Sequence, residues 1–266
     1  MLVDSHCHLD FPDFAEEEAD VVARARRAGV GTMVTICTHV SKAGQVLAVA
    51  GRYPEVLCTI GVHPHHAAEE LAEATVDRLV ALSAHPKVIG LGETGLDYFY
   101  DNSPRPAQQE SFRRHLRACM ATGLPAIVHS RDADAETLAI LREEGAGRGL
   151  TGLIHCFSGS RAMAEEALAL GFHLSISGIV TFKKADALRE TVAAVPLDRL
   201  LVETDAPDQL LPEEKNRHPL AGADGKPLNN PANLVAVYVG LADFFGEQIE
   251  SLAARVEENF QHVFYL

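Results

Sequence analysis

A chain of 266 residues, 47% of them hydrophobic, can bury one full core, and about 250 residues is a usual length for a single α/β barrel. Its formal net charge of −14 points away from a protein that coats long duplex nucleic acid, because that affinity comes from lysines and arginines neutralising many phosphates. The 5 cysteines, Cys7, Cys37, Cys58, Cys119 and Cys156, are odd in number and show no CxxC spacing, which argues against a disulfide framework and a cysteine zinc site.

The chain begins with MLVDSHCHLD, which has no basic region followed by an apolar one, and no apolar run approaches membrane length. The expectation is a cytoplasmic protein with no membrane partner. Short apolar or β-branched runs then alternate with amphipathic stretches, the pattern of a parallel sheet built from βα units. Strands are predicted to begin near Leu2, Thr32, Val56, Val88, Ala126, Gly152, His173 and Leu200. Between them, helical spacing of apolar residues marks Glu16 to Ala28, Gln108 to Ala121, Ala133 to Glu144, Arg161 to Leu170 and Ala185 to Ala194. From Pro207 to Pro231 the rhythm breaks into a stretch rich in Pro, Gly, Asn and charge, predicted as a long loop rather than an element. Two more helical patterns follow, Asn233 to Phe245 and Gln248 to Phe264. The expected fold is α/β, a TIM-like (β/α) barrel forming a single domain over residues 1–266.

Functional groups of such a barrel project from the C-terminal ends of its strands. Here His6 and His8 close the first strand, His63 the third, Glu93 the fourth, His129 the fifth, His155 the sixth and Asp205 the eighth. Side chains two apart on a strand share a face, so His6 and His8 reach one ion together while Cys7 faces away. A lone histidine is more often a solvated or core residue than a ligand. An even scatter of 13 histidines would not land repeatedly on strand ends. Imidazole with carboxylate suits zinc, manganese, nickel or iron, with magnesium also among the expected cofactors. Glu93 lies in GLGETGLDY, where glycines let backbones crowd close, and its two oxygens can each hold one ion. The reading is two divalent metal ions: His6, His8 and Asp205 on the first, His129 and His155 on the second, and Glu93 between them.

In its motifs the chain resembles the TatD family of metal-dependent hydrolases, a branch of the amidohydrolase-like barrels. The matching stretches are DSHCHLD (4–10), GVHP (61–64), GETGLDY (92–98), QQESF (108–112), VHSRDA (128–133), HCFSG (155–159), SGIVTFK (177–183) and ETDAP (203–207). They cover nearly the whole chain in order. The resemblance implies a TIM-like barrel of the metal-dependent hydrolase type, two divalent metals at the six positions above, and deoxyribonuclease activity, often 3′-5′ exonucleolytic on DNA ends. Single-stranded DNA or 3′ ends are then the expected partner.

Two divalent ions lower the pKa of a water enough to supply hydroxide near neutral pH, and Asp205 is the expected base, with Glu93 the other catalytic carboxylate. His63, Arg131, Tyr98 and Glu203 are expected near the rim as substrate contacts or ligand-orienting groups. The chain departs from the family where Asp208 follows Pro207 in place of the common aromatic, an acidic residue near the mouth that repels a phosphate backbone or selects a different leaving group. The alternative is a metal-dependent deacylase or amidohydrolase acting on aminoacyl-tRNA or a small ester or amide. Related carboxyl-transfer barrels often bridge their metals with a carbamylated lysine, and the bridge here is Glu93, which favours phosphoester chemistry.

Overall fold

The computed structural model describes residues 1–145, 147–213, 215–222 and 224–266. Eight parallel strands follow one another around a sheet in chain order: β1 (Leu2–Cys7), β2 (Val30–Thr35), β3 (Val56–Ile60), β4 (Val88–Asp97), β5 (Ala126–Arg131), β6 (Gly152–Ile154), β7 (Phe172–Ile176) and β8 (Leu200–Val202). This is the TIM-like barrel expected from the alternation of apolar and amphipathic runs. The strands read as apolar runs because a parallel sheet wrapped by helices is buried on both faces.

Helices α1 (Glu18–Arg27), α2 (Ala43–Arg52), α3 (Ala67–Glu70), α4 (Val76–Ser83), α5 (Arg105–Thr122), α6 (Asp134–Gly145), α7 (Arg161–Ala169), α8 (Asp186–Val192), α9 (Leu234–Phe245) and α10 (Ile249–Phe264) lie between and after the strands. The last is representative. Leu252, Val256, Phe260 and Val263 recur at three- and four-residue spacing and are all buried, each contributing about 1.5 to 3 kcal/mol on leaving water. Tyr238 of α9 is buried beside β1, where its hydroxyl donates to Val3 O at 3.1 Å and accepts from Val3 N at 3.3 Å.

The seam between the last and first strands is closed largely by polar bonds. Thr204 donates to Asp4 through its backbone N–H (2.9 Å) and its hydroxyl (2.6 Å). Ser5 Oγ donates to Val202 O at 3.1 Å, Asp205 N to His6 O at 2.9 Å, and His8 N to Ala206 O at 2.8 Å. Every one of these groups is buried, so each bond also removes the cost of an unmatched polar atom.

Two expectations need correction. The segment from Pro207 to Pro231 is not free of elements, since Leu220–Ala221 (β9) pairs antiparallel with Pro227–Leu228 (β10); Glu214 and Ala223 of that segment lie outside the described residues. Glu93 and His129 do not close their strands: the fourth runs four residues further to Asp97 and the fifth two further to Arg131. The register of β4 against β5 shifts between Leu91 and Thr94; Gly92 within the shift and Gly95 just after it both adopt φ near +141°. A Cβ at Gly95 would stand 2.0 Å from His129 O, and one at Gly92 2.4 Å from Ile127 O. These glycines let β4 bend against β5 in mid-strand, presenting Glu93 to the barrel mouth. Among the described residues no helix is long and apolar enough to cross a membrane.

Candidate metal centre

Helix α5 reaches up to brace the rim. Gln108 accepts from Asp97 N at 2.8 Å and donates to Asp97 O and Ser103 O, which fixes the end of β4. His115 accepts from Val62 N through Nε2 at 3.1 Å and donates through Nδ1 to Ser111 O at 2.7 Å, which fixes the loop that carries His63. Burial pushes the His115 pKa down to about 4, so the ring stays neutral and keeps the lone pair that this bond requires.

On this frame the strand-end residues converge. Glu93 is buried, and its two oxygens face different partners. Oε2 lies 3.3 Å from His6 Nε2 and 3.9 Å from His8 Nε2. Oε1 lies 2.9 Å from His129 Nδ1, 2.7 Å from His155 Nε2 and 3.4 Å from His63 Nε2. Asp205 Oδ1 stands 3.6 Å from both His6 Nε2 and His8 Nε2. Asp205 takes a positive φ of 55°, a conformation that aspartate tolerates better than most residues. Burial alone would raise the Glu93 pKa; the surrounding His155, His63 and His129 hold it well below the usual range. Asp205 is likewise held down, against burial, by His8, His155 and His6.

The far nitrogen of each ring decides what the near one can do. His129 Nε2 meets Asp97 Oδ2 at 3.1 Å, His155 Nδ1 meets Glu203 Oε1 at 3.3 Å, and His8 Nδ1 meets Ile36 O at 3.3 Å. Each partner is an acceptor. Burial lowers the pKa of these rings, but hydrogen bonds and charge from Asp205, Asp97, Glu93 and Glu203 outweigh it and raise all three. Each far nitrogen therefore keeps its proton, while the near one, facing Glu93 and Asp205, would give up its proton to a cation that takes its lone pair. His63 is the reverse. Its Nδ1 accepts from His65 N at 3.1 Å, and burial lowers its pKa well below the usual value, so the neutral ring carries its proton on Nε2 and faces the site as a donor. His6 is fully buried and neither ring nitrogen has a hydrogen-bond partner among the described residues. Burial and the neighbouring His155 lower its pKa. A buried neutral imidazole with two unmatched nitrogens costs about 1 to 3 kcal/mol per atom unless something accepts its lone pair, and a divalent cation fits that need. Ligand-type atoms of His6, His8 and Glu93 lie within 4.8 Å of one another, as do those of His63, Glu93 and His129, and those of His6, His155 and Glu203.

The expected rim residues divide. His63 and Arg131 line a cavity of about 1080 Å³ whose wall also includes Glu93, His129, His155 and Asp205. Arg131 stacks its guanidinium 4.3 Å from the Phe99 ring and 4.9 Å from the Tyr100 ring. Glu203 and Tyr98, expected as substrate contacts or ligand-orienting groups, do not line that cavity. Glu203 is fully buried behind His155, accepting from Cys156 N at 2.6 Å, and is a positioning group. The Tyr98 hydroxyl is occupied by Gln109 Nε2 at 2.8 Å, with Arg105 over its ring. Asp208 stands on the cavity wall as the altered loop predicts. Sequence reasoning missed Asp97, which accepts from both His129 and His65 Nε2 (3.0 Å). Its signal was spacing, since Glu93, Gly95 and Asp97 alternate along one strand and share a face.

Comparison with known proteins follows the same lines. The family described as TatD related DNase matches residues 3–265. The chain is 39% identical to the metal-dependent hydrolase YcfH of Escherichia coli K12, over all of this chain and 96% of that protein. It is 35% identical to the metal-dependent hydrolase YabD of Bacillus subtilis 168, over 99% of each. The crystal structure of YjjV, a TatD homologue from Escherichia coli K12, superposes with a TM-score of 0.88 at 31% identity, covering all of this chain and 98% of the other.

Proposed function

The chain belongs to the TatD family and is a metal-dependent hydrolase, and from that premise we propose that it cleaves phosphodiester bonds in DNA, acting on single strands or 3′ ends. The observation that carries the reading is the division of Glu93, one oxygen toward His6 and His8 and the other toward His129 and His155. A carboxylate so divided suits a pair of divalent ions, with Asp205 completing the first set; zinc, manganese, magnesium, nickel and iron are the candidates. Such ions, when bound, supply Lewis-acid polarisation of a phosphoryl oxygen and a water of lowered pKa.

The chain's own residues have separate tasks. Asp205 is ionised and lines the cavity, so it accepts the proton of the attacking water. His63 presents Nε2–H to the same space and donates to a phosphoryl oxygen. Arg131, held flat by Phe99 and Tyr100, offers the fork of donors that fits phosphate. The buried Glu93, His155 and Asp205 give the inner wall a low dielectric that strengthens the charged contacts made against it. A thiol nucleophile is disfavoured: burial pushes the Cys37 and Cys58 thiols up to about 12 and the Cys156 thiol well above its ordinary value.

The test is a panel of single-stranded DNA, duplex DNA, RNA, aminoacyl-tRNA and simple esters presented to metal-loaded protein. Metal-dependent release of mononucleotides from single-stranded DNA is expected, abolished in Glu93→Ala and strongly reduced in Asp205→Asn. Turnover of aminoacyl-tRNA or esters with DNA untouched would assign the site to carboxyl chemistry instead. An Asp205→Asn protein with full metal occupancy and full turnover would remove the base assignment.

A further inference from the structure

A second group of ligand-type side chains stands at the mouth of the cavity, apart from the Glu93 centre. His39 lies in the loop after β2, His66 ends the turn Pro64–His66, and Glu69 follows on α3. His66 Nδ1 is 2.7 Å from Glu69 Oε1, and His39 Nε2 is 3.4 Å from the same oxygen. The two imidazole rings lie 3.8 Å apart, tilted by 33°. Ligand-type atoms of all three fall within 4.8 Å of one another. Tetrahedral zinc, with bonds of about 2.0 to 2.2 Å, sets its ligand atoms about 3.4 Å apart. His39 and Glu69 already have that spacing, and the His66 contact needs to open by about 0.7 Å. The Glu69 side chain, 61% exposed, is free to make that adjustment.

The two segments are tied together independently of these side chains. Ser41, two residues after His39, donates to the buried Glu70 carboxylate through its backbone N–H at 2.9 Å and its hydroxyl at 2.5 Å. Glu70 is the residue after Glu69, so this bond fixes the loop of His39 against the helix of Glu69. Thr38 Oγ1 meets His39 Nδ1 at 2.9 Å; with the hydroxyl accepting, Nε2 is left bare on the side of Glu69. His39 and His66 both line the cavity, and the His66 ring is 6.2 Å from that of His63. A cation here would have three protein ligands, leaving a fourth tetrahedral position to water or another group.

We propose that His39, His66 and Glu69 form a separate divalent-cation site at the cavity mouth, taking a borderline ion such as Zn²⁺. The test is equilibrium dialysis of the full chain against micromolar free Zn²⁺, with elemental analysis of bound metal per chain. Glu69→Gln and His66→Gln are each expected to bind one equivalent less than the parent chain. Glu93→Gln, which disturbs the inner centre, is expected to keep that equivalent and lose others. With Co²⁺ in place of Zn²⁺, the difference spectrum between parent and His66→Gln should show the absorption of a single nitrogen- and oxygen-ligated ion. Circular dichroism and thermal unfolding report whether each variant is folded, and His39→Gln replaces either one that is not. Equal metal content in the parent chain and the folded variants overturns the proposal. The difference of one equivalent is read without any substrate, so the count stands or falls separately from the nuclease reading.

Discussion

Replacing Asp97 with asparagine should damage metal binding although Asp97 is not among the proposed metal ligands. Its Oδ1 accepts from Phe99 N at 3.1 Å and Tyr100 N at 2.9 Å, and its Oδ2 accepts from His129 Nε2 and His65 Nε2. Burial alone would raise the carboxyl pKa, but these hydrogen bonds hold it well below the usual range, so it is a full anion. In Asp97→Asn the two backbone donors claim the amide oxygen, which turns the amide NH₂ toward His129. His129 Nε2 must then accept rather than donate, and its proton moves to Nδ1, the nitrogen facing Glu93. A lone pair aimed at the metal is replaced by an N–H. Loss of such a supporting carboxylate costs about 10- to 100-fold in metal affinity, or roughly 1.4 to 2.7 kcal/mol. Competition against a chelator of known affinity measures it, with turnover at saturating metal as a second readout. Parent-like affinity in a folded Asp97→Asn protein would refute the assignment of proton positions around His129.

Gly95→Ala should lose at least about 2 to 3 kcal/mol of stability, because the new Cβ combines an unfavourable positive φ with collision against the His129 carbonyl; denaturant unfolding checks this, and parent stability would contradict the strand geometry. His115 predicts a pH dependence. Its folded pKa of about 4 lies below the ordinary 6.5, so the unfolded chain binds more protons between these values and stability falls as pH drops through that window. The contribution is complete above pH 6.5 and is lost by pH 4, with a slope near 1.4 kcal/mol per unit and about 3 kcal/mol in all. Unfolding at pH 7.5 and 5, repeated on His115→Gln, should show that part of the slope disappear; an unchanged slope would remove His115 as its source.

Much of the barrel was legible because its strands are buried on both faces and therefore stand out as apolar runs, as in Val56 to Ile60 and Leu200 to Val202. The convergence of His6, His8, His155 and Asp205 was legible from chain position, since a barrel sends strand ends to one rim; Glu93 and His129 join them from inside their strands, which run on to Asp97 and Arg131. What stayed hidden was of two kinds. The pairing of Leu220 with Leu228 is too short to leave a period in a stretch dominated by Pro, Gly and Asn. The roles of Asp97 and Glu203 depend on which nitrogen of a histidine each meets, a fact of rotamer and distance that spacing along a chain does not carry. Tyr98 shows the converse: its place at the end of the fourth strand suggested the rim, and its hydroxyl instead accepts from Gln109.

The polar seam of the barrel has a consequence for synthesis. Asp4 and Thr204 are 200 positions apart, and His6 meets Asp205 only once that seam has formed. As the chain leaves the ribosome, its first histidines therefore wait for some two hundred residues before their carboxylate partner emerges. The ligand set of His6, His8 and Asp205 is therefore complete only when the last strand has joined the first.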